Sequence, residues 1–354
     1  MKGLILSGGK GTRLRPLTHT RAKQLVPVAN KPVLFYGIEA MVAAGIRDVG
    51  VVVGETREEI ETALGDGSRF GARITYIPQE APRGLAHAVL ISEKYLRGEP
   101  FVMYLGDNLI ADGIASLVDE YRRIGSNSQI LLARVPNPEQ FGVAELSNGT
   151  VVRLTEKPKQ PRSDLALVGV YMFDDSIWDA VKAIRPSARQ ELEITDAIQW
   201  LIDHGKTVHP HVVSGWWKDT GKIEDMLEAN RIILDTFTAR GLEGIDSGCR
   251  VEGKVVIEEG ASLAHSIVRG PAVIGARAQI RDAFVGPYTS IGPDCFIERC
   301  EIENSIVLER SRLERIPGRI ADSLIGTNVR IHPGAERPRV HRFLIGDNSE
   351  IGIV

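Results

Sequence analysis

The chain has 354 residues, 43 % apolar and 25 % charged, with 43 Lys and Arg against 46 Asp and Glu. This is the make-up of a soluble globular protein, long enough for two domains, and it excludes collagen-like, disordered and membrane-spanning chains. A formal net charge of -3 gives the whole molecule no pull towards nucleic acid or an anionic membrane, so neither is expected as a partner.

From Lys2 to about Val213, short β-branched runs alternate with helical patterns, the mark of βαβ units on a mainly parallel sheet. The expected strands are residues 3–7, 48–53, 73–77, 101–105 and 129–134. Pro32 suits a first helical position, Thr56 with Glu59 matches a capping box, and Gly45 and Gly65 suit helix ends. Beyond residue 135 the rhythm changes: runs 141–146 and 150–156 flank Asn148-Gly149, a two-residue hairpin signal, so the sheet turns antiparallel. A run at 165–173, a helix near 195–204, a strand near 207–213 and a helix over about 222–240 complete a first domain, residues 1–243.

The remaining residues, 244–354, have few helix signals, many glycines, and aliphatics at intervals of five or six. Val251, Ile257 and Leu263 are followed by Ile274, Ile280, Val285, Ile291, Ile297 and Ile302, then by Ile325 and Ile331. Such short periods predict a parallel β-helix, each aliphatic pointing into a narrow prism; a β-sandwich would rarely hold them. Cys249, Cys295 and Cys300 lack metal-site spacing and are expected as reduced structural thiols. With no signal-peptide pattern or transmembrane stretch, a cytoplasmic location is expected.

The chemistry concentrates after the first strand, in Gly8-Gly9-Lys10-Gly11-Thr12-Arg13-Leu14. A glycine-rich turn there offers backbone N–H groups to an anion at the carboxyl edge of the sheet. It is neither GxGxxG, which Leu14 breaks, nor a P-loop, since Trp200 blocks the one Gly-Lys-Thr candidate. The first 38 residues hold seven basic side chains (Lys2, Lys10, Arg13, Arg15, Arg21, Lys23 and Lys31) and no acid. This asymmetry points to a polyphosphate, ahead of a merely solvated basic face. A nucleoside triphosphate brings magnesium, which prefers one or two carboxylates plus phosphate oxygens. Asp107, after the strand at 101–105, and Asp219, in Gly215-Trp216-Trp217-Lys218-Asp219-Thr220-Gly221, are the candidates; each alone could be a turn or cap residue.

Gly8-Gly9 with Gly11-Thr12-Arg13-Leu14 and Pro16, Lys23-Gln24-Leu25, Pro27-Val28, Lys31-Pro32, Gly106-Asp107-Asn108, Glu156-Lys157-Pro158, Glu191-Leu192-Glu193-Ile194-Thr195-Asp196 and Asp219-Thr220-Gly221 occur in order. Together they make the chain resemble the glucose-1-phosphate thymidylyltransferases, in the long form with an added left-handed β-helix. The resemblance runs nearly end to end and implies an α/β, Rossmann-like nucleotidyltransferase domain with a mixed, mainly parallel sheet, followed by a left-handed β-helix of hexapeptide repeats. It implies that dTTP and glucose 1-phosphate give dTDP-glucose and pyrophosphate by in-line attack on the α-phosphorus, with Mg2+ as cofactor. Leu6, Gly8, Gly9, Gly11, Thr12, Arg13, Gln79, Gly84 and Asp107 would bind the nucleotide, and Arg13 and Lys23 would act in catalysis. Lys23 with Gly142, Glu156, Lys157, Val168 and Arg189 would hold the sugar phosphate, and Asp107 and Asp219 the metal.

Ser7, Lys10, His87, Phe141 and Gln190 depart from the family's usual residues. Asp107→Asn is expected to abolish turnover, and Lys23→Ala to cut the rate with little change in melting temperature. Two alternatives stay open: a UTP-dependent or broad sugar-1-phosphate nucleotidyltransferase, and an acyltransferase of the β-helix using His265, His332 or His341. Self-association into a homo-oligomer is a further open partner.

Overall fold

The structure is a computed structural model describing residues 1–9, 11–242 and 245–334; Lys10, Gly244 and His341 therefore lie outside the described residues. It divides into two compact units. The first comprises the described residues of Met1–Lys10, Arg21–Leu25 and Val33–Asp219; the second comprises those of Gly11–Thr20, Val26–Pro32 and Thr220–Val354.

The first unit is built on a nine-stranded mixed sheet. Lys2–Leu6 lies in its middle, parallel to Asp48–Val53 on one side and Phe101–Leu105 on the other, and Arg73–Pro78 continues the parallel set. Leu165–Phe173 then pairs antiparallel with Phe101–Leu105 and with Ser128–Arg134. Alternate residues of the central strands supply both faces: Leu4, Leu6, Met103 and Phe173 enter one core, Ile5, Val102, Tyr104 and Met172 the other. Burial on both sides explains why these strands read as unbroken apolar runs. The predicted hairpin forms between Gly142–Ser147 and Thr150–Glu156, with Asn148 and Gly149 at φ 49° and 78°, both left-handed.

Three local expectations change. Pro32 sits in a two-residue strand with Lys31, and the helix begins one residue later as Val33–Ala43. Thr56 stands at the N-cap of Arg57–Leu64 without a capping hydrogen bond, while the Glu59 carboxylate accepts from the Ala22 amide at 2.7 Å; a tertiary donor has displaced the local box. The helix expected to run to residue 240 is Ile223–Asp235. The Thr236 hydroxyl donates to the Ile233 carbonyl at 2.7 Å, satisfying a helix-end acceptor locally.

In the second unit, three five-stranded parallel sheets form a prism, the arrangement of a left-handed β-helix. The predicted aliphatics stack coil on coil, joined by Val268, Val307 and Leu313, which the predicted series passes over: Val251, Val268, Val285 and Ile302 along one sheet, Ile257, Ile274, Ile291 and Val307 along the second, Leu263, Ile280, Ile297 and Leu313 along the third. Cys295 and Cys300 are buried among them as free thiols, and burial pushes the Cys295 thiol up to about 11. Asn230, on the helix Ile223–Asp235, is fully buried, and both ends of its amide are hydrogen-bonded. Its Oδ1 accepts from the Ala29 amide at 2.9 Å and the Ser290 hydroxyl at 2.7 Å, and its Nδ2 donates to the Tyr288 carbonyl at 2.9 Å. The Asn30 amide nitrogen reaches the Ile291 carbonyl at 2.8 Å. Among the described residues no helix is long and apolar enough to cross a membrane.

Candidate active site

Strand ends converge at the carboxyl edge of the first unit's sheet. The strand Lys2–Leu6 delivers Ser7, Gly8 and Gly9; Phe101–Leu105, its parallel neighbour, delivers Gly106 and Asp107. Gly106 is needed because a Cβ there would lie 2.9 Å from the Leu6 carbonyl oxygen. After Asp107 the chain forms a short strand, Asn108–Ile110, antiparallel to Trp217–Asp219, and the register sets Asp219 opposite Asn108. Two acids separated by more than a hundred residues are thus brought to one place by backbone pairing.

Lys23 arrives from a short helical turn, Lys23–Leu25, and is 8 % exposed. Its ammonium donates to Asp107 Oδ2 and stands 3.8 Å from Asp219 Oδ1. Burial pushes the Asp107 carboxyl up, but the Lys23 ammonium, with hydrogen bonds from Lys23 and Asn108, holds it below the ordinary carboxylate range. Asn108, which sequence reasoning quoted but gave no role, is the keystone of this corner. Its Nδ2 donates to Asp107 Oδ1 at 2.9 Å, while its Oδ1 accepts from the Gly169 amide at 3.2 Å and the Trp217 indole at 2.5 Å. Two carboxylates meeting on one cation are a donor set that suits a hard divalent ion sharing phosphate oxygens. Beside Gly8 and Gly9, Ser7 Oγ and Gln24 Oε1 are buried without a hydrogen-bond partner among the described residues.

Gln79 follows the strand Arg73–Pro78, and a Cβ on Gly8 would lie 3.3 Å from its Oε1. Gly84 has φ 101°, and a Cβ there would fall 2.3 Å from the Leu192 carbonyl oxygen. That approach lets Leu192 exchange backbone hydrogen bonds with Arg83 and Ala86, at 2.8 and 3.0 Å. It ties the segment after Gln79 to the segment carrying Arg189 and Glu193.

Arg189, Lys157 and Gly142 gather around Glu156. Its Oε1 accepts from Arg189 at 3.0 Å and its Oε2 from the Thr195 hydroxyl at 3.2 Å. Arg189 also binds Glu193, which is nearly buried and takes the Ser187 hydroxyl at 2.7 Å. Burial, then the neighbouring Glu193 charge, raises the Glu156 pKa above the ordinary value. Gly142 lies against this carboxylate: a Cβ there would sit 2.6 Å from Thr195 Cγ2 and 3.2 Å from Glu156 Oε2. Lys157 is exposed, with its ammonium 3.8 Å from Glu156, and Val168 is buried in the sheet. Glu193 and Thr195 went unassigned from sequence, although they stand in the quoted Glu191–Asp196 motif.

Leu6, Gly8, Gly9, Lys23, Gln79, Gly84, Asp107, Gly142, Glu156, Lys157, Val168, Arg189 and Asp219 all belong to the first unit. Gly11, Thr12 and Arg13 belong to the second, where Gly11 opens the turn Thr12–Leu14 at φ 60° and its carbonyl accepts from the Thr18 hydroxyl at 2.7 Å. Of the histidines weighed for acyl transfer, His265 and His332 are exposed.

Residues 2–236 match the nucleotidyl transferase family model. The chain is 53 % identical over 354 residues to a glucose-1-phosphate thymidylyltransferase of Streptomyces griseus, covering 100 % of this chain and 99 % of the relative. It is 54 % identical over 357 residues to one of Streptomyces antibioticus, at the same coverage. A crystal structure named as a glucose-1-phosphate thymidylyltransferase from Bacillus anthracis aligns with TM-score 0.63 and 34 % identity over 68 % of this chain and 98 % of that one. A UDP-glucose pyrophosphorylase in complex with UDP-glucose aligns with TM-score 0.59 and 25 % identity, over 66 % and 98 %. A family model spanning most of the chain, relatives at these identities and the conjunction of Lys23, Asp107 and Asp219 lead to one conclusion: the chain belongs to the nucleotidyl transferase family, among its glucose-1-phosphate thymidylyltransferases.

Proposed function

We propose that the enzyme transfers a thymidylyl group from dTTP to glucose 1-phosphate, releasing pyrophosphate and forming dTDP-glucose. The observation that carries this reading is the meeting of Lys23, Asp107 and Asp219 beside Gly8-Gly9 at the carboxyl edge of the sheet; the relatives' names supply the substrates. The reaction needs no protein nucleophile, because the sugar phosphate is itself an anionic one. The protein's task is to bring two anions together and to stabilise charge growing on the α-phosphoryl group and on the departing pyrophosphate.

Each part of the site suits a portion of that task. Gly8 and Gly9 leave room for a phosphate to approach the backbone, and Lys23 supplies a buried positive charge. Asp107 and Asp219 would hold Mg2+, which supplies further compensation of phosphate charge when bound. Gln79 offers an amide to the pyrimidine edge. Glu156, steadied by Arg189 and Thr195, offers carboxylate oxygens to sugar hydroxyls, and Arg189 and Lys157 add positive charge for the sugar's phosphate. Holding both substrates aligned could lower the barrier by up to about 7–11 kcal/mol, more than any single contact.

The test is pyrophosphate release with Mg2+ and glucose 1-phosphate, comparing dTTP, UTP, CTP, ATP and GTP. A clear preference for dTTP supports the reading, and comparable turnover of UTP replaces it with a broader pyrimidine enzyme. Asp107→Asn should be folded and inactive; Mg2+-dependent turnover by that variant would remove Asp107 from the metal site.

A further inference from the structure

His87 lies on the helix Leu85–Ile91, a turn beyond Gly84, with its Nδ1 2.9 Å from Gln79 Nε2. It is one of the residues that depart from the family's usual pattern, and nothing in the proposed reaction has used it. Resting on the assignment of Gln79 to the base, we infer that His87 is a positioning residue that fixes which way round the Gln79 amide faces the nucleotide and so selects bases carrying an N3–H beside a C4 carbonyl.

The argument is one of donors and acceptors. A carboxamide has two N–H bonds and one carbonyl oxygen, and its two orientations place them in opposite positions. A neutral imidazole has one nitrogen that donates and one that accepts. Burial, then the nearby Arg83 guanidinium, lowers the His87 pKa from its ordinary value, so the ring is neutral at pH 7. In the tautomer that carries its proton on Nε2, Nδ1 accepts the Gln79 N–H anti to the carbonyl, and the amide keeps its oxygen and its second N–H side by side. That pair is complementary to the N3–H and C4=O edge of thymine or uracil. Cytosine presents the reverse, an acceptor at N3 and a donor at C4, and would leave both partners unpaired, the kind of mismatch that sites discriminate against most strongly. The Gln79 oxygen lies towards Gly8, where any side chain would crowd it.

The test compares wild type with His87→Leu, His87→Gln, His87→Lys and Gln79→Ala, measuring kcat and KM for dTTP and CTP with glucose 1-phosphate, together with melting temperature. His87→Leu should raise the KM for dTTP about tenfold with kcat little changed, the effect of one lost neutral hydrogen bond, and should narrow the dTTP-to-CTP preference. His87→Gln, whose oxygen can accept from Gln79, should restore that preference. His87→Lys, which can only donate, should turn the amide over and move the preference towards CTP. An equal loss for both nucleotides in His87→Leu, or an unchanged preference in both His87→Leu and His87→Lys while Gln79→Ala abolishes it, would overturn the inference and leave Gln79 as the base reader. An unchanged preference in Gln79→Ala would instead overturn the assignment of Gln79, and the role of His87 with it.

Discussion

Removing the Lys23 ammonium should affect stability as well as rate. In Lys23→Ala, Asp107 loses the ammonium that donates to it and Asp219 loses a cation 3.8 Å away. Truncating one member of a fully buried ion pair costs about 3–5 kcal/mol, because the charge left behind is neither paired nor hydrated. The Asp107 side chain is 21 % exposed and keeps its hydrogen bond from Asn108, so water and Asn108 recover part of this, leaving roughly 2–3 kcal/mol. At 2–4 °C per kcal/mol for a unit of this size, the melting temperature should fall by roughly 4–12 °C. Lys23 is thus expected to matter to the folded state more than its sequence context suggests.

The pH dependence has a definite sign. The wild-type Asp107 carboxyl lies below its ordinary value, so its contribution is fully present above that value and is lost as pH falls through the depressed one. The gap between wild type and variant should therefore be full at pH 7 and close below about pH 4. Calorimetry in a chelator across this range, beside pyrophosphate release at pH 7, measures both effects; the rate should drop by about 10²–10³. An unchanged melting temperature at pH 7 would refute the stability argument, and an unchanged rate would remove Lys23 from the reaction.

Other perturbations separate the remaining parts of the molecule. Gly142→Ala should raise the KM for glucose 1-phosphate well above any change for dTTP, since the new methyl displaces Thr195 and Glu156; equal changes for both substrates would contradict that. Because the Glu156 pKa is raised, its carboxylate should protonate early as pH falls from 7, weakening sugar binding. The KM for glucose 1-phosphate should climb in wild type and stay flatter in Glu156→Gln; parallel profiles would assign the titration to the sugar phosphate itself. Ile297→Ala, in the fully buried β-helix core, should cost about 2–5 kcal/mol in guanidinium unfolding.

Periodicity carried far in this sequence. The strands Asp48–Val53, Phe101–Leu105 and Leu165–Phe173 lie where β-branched runs placed them, and the aliphatic phase of the second unit matches its coils. Both signals are written locally, by side chains that alternate or recur within a few residues. What sequence reasoning missed depends on partners distant along the chain. Glu59 was expected to cap its own helix, but a backbone donor at Ala22 claims it. Asn108 revealed nothing of its importance until Gly169 and Trp217 were beside it. Likewise the conjunction of Asp107 and Asp219 follows from a strand register that neither neighbourhood specifies. The motifs nominated acids and bases for the candidate site, and the pairing pattern determined their contacts.

Two of the hydrogen bonds inside the second unit span 201 and 261 positions, from Ala29 to Asn230 and from Asn30 to Ile291. During synthesis the stretch Val26–Pro32 emerges early, yet its partners are made only after most of the chain has left the ribosome. This unit is therefore not a cassette that can be appended, excised or expressed from a contiguous gene fragment with all its contacts intact. Its assembly is of high contact order, and closure of these long loops should be slow relative to the stacking of neighbouring coils. A chain stalled or clipped before Ile291 would already carry Asp107, Asp219 and Lys23, but not the completed anchorage of the stretch Val26–Pro32.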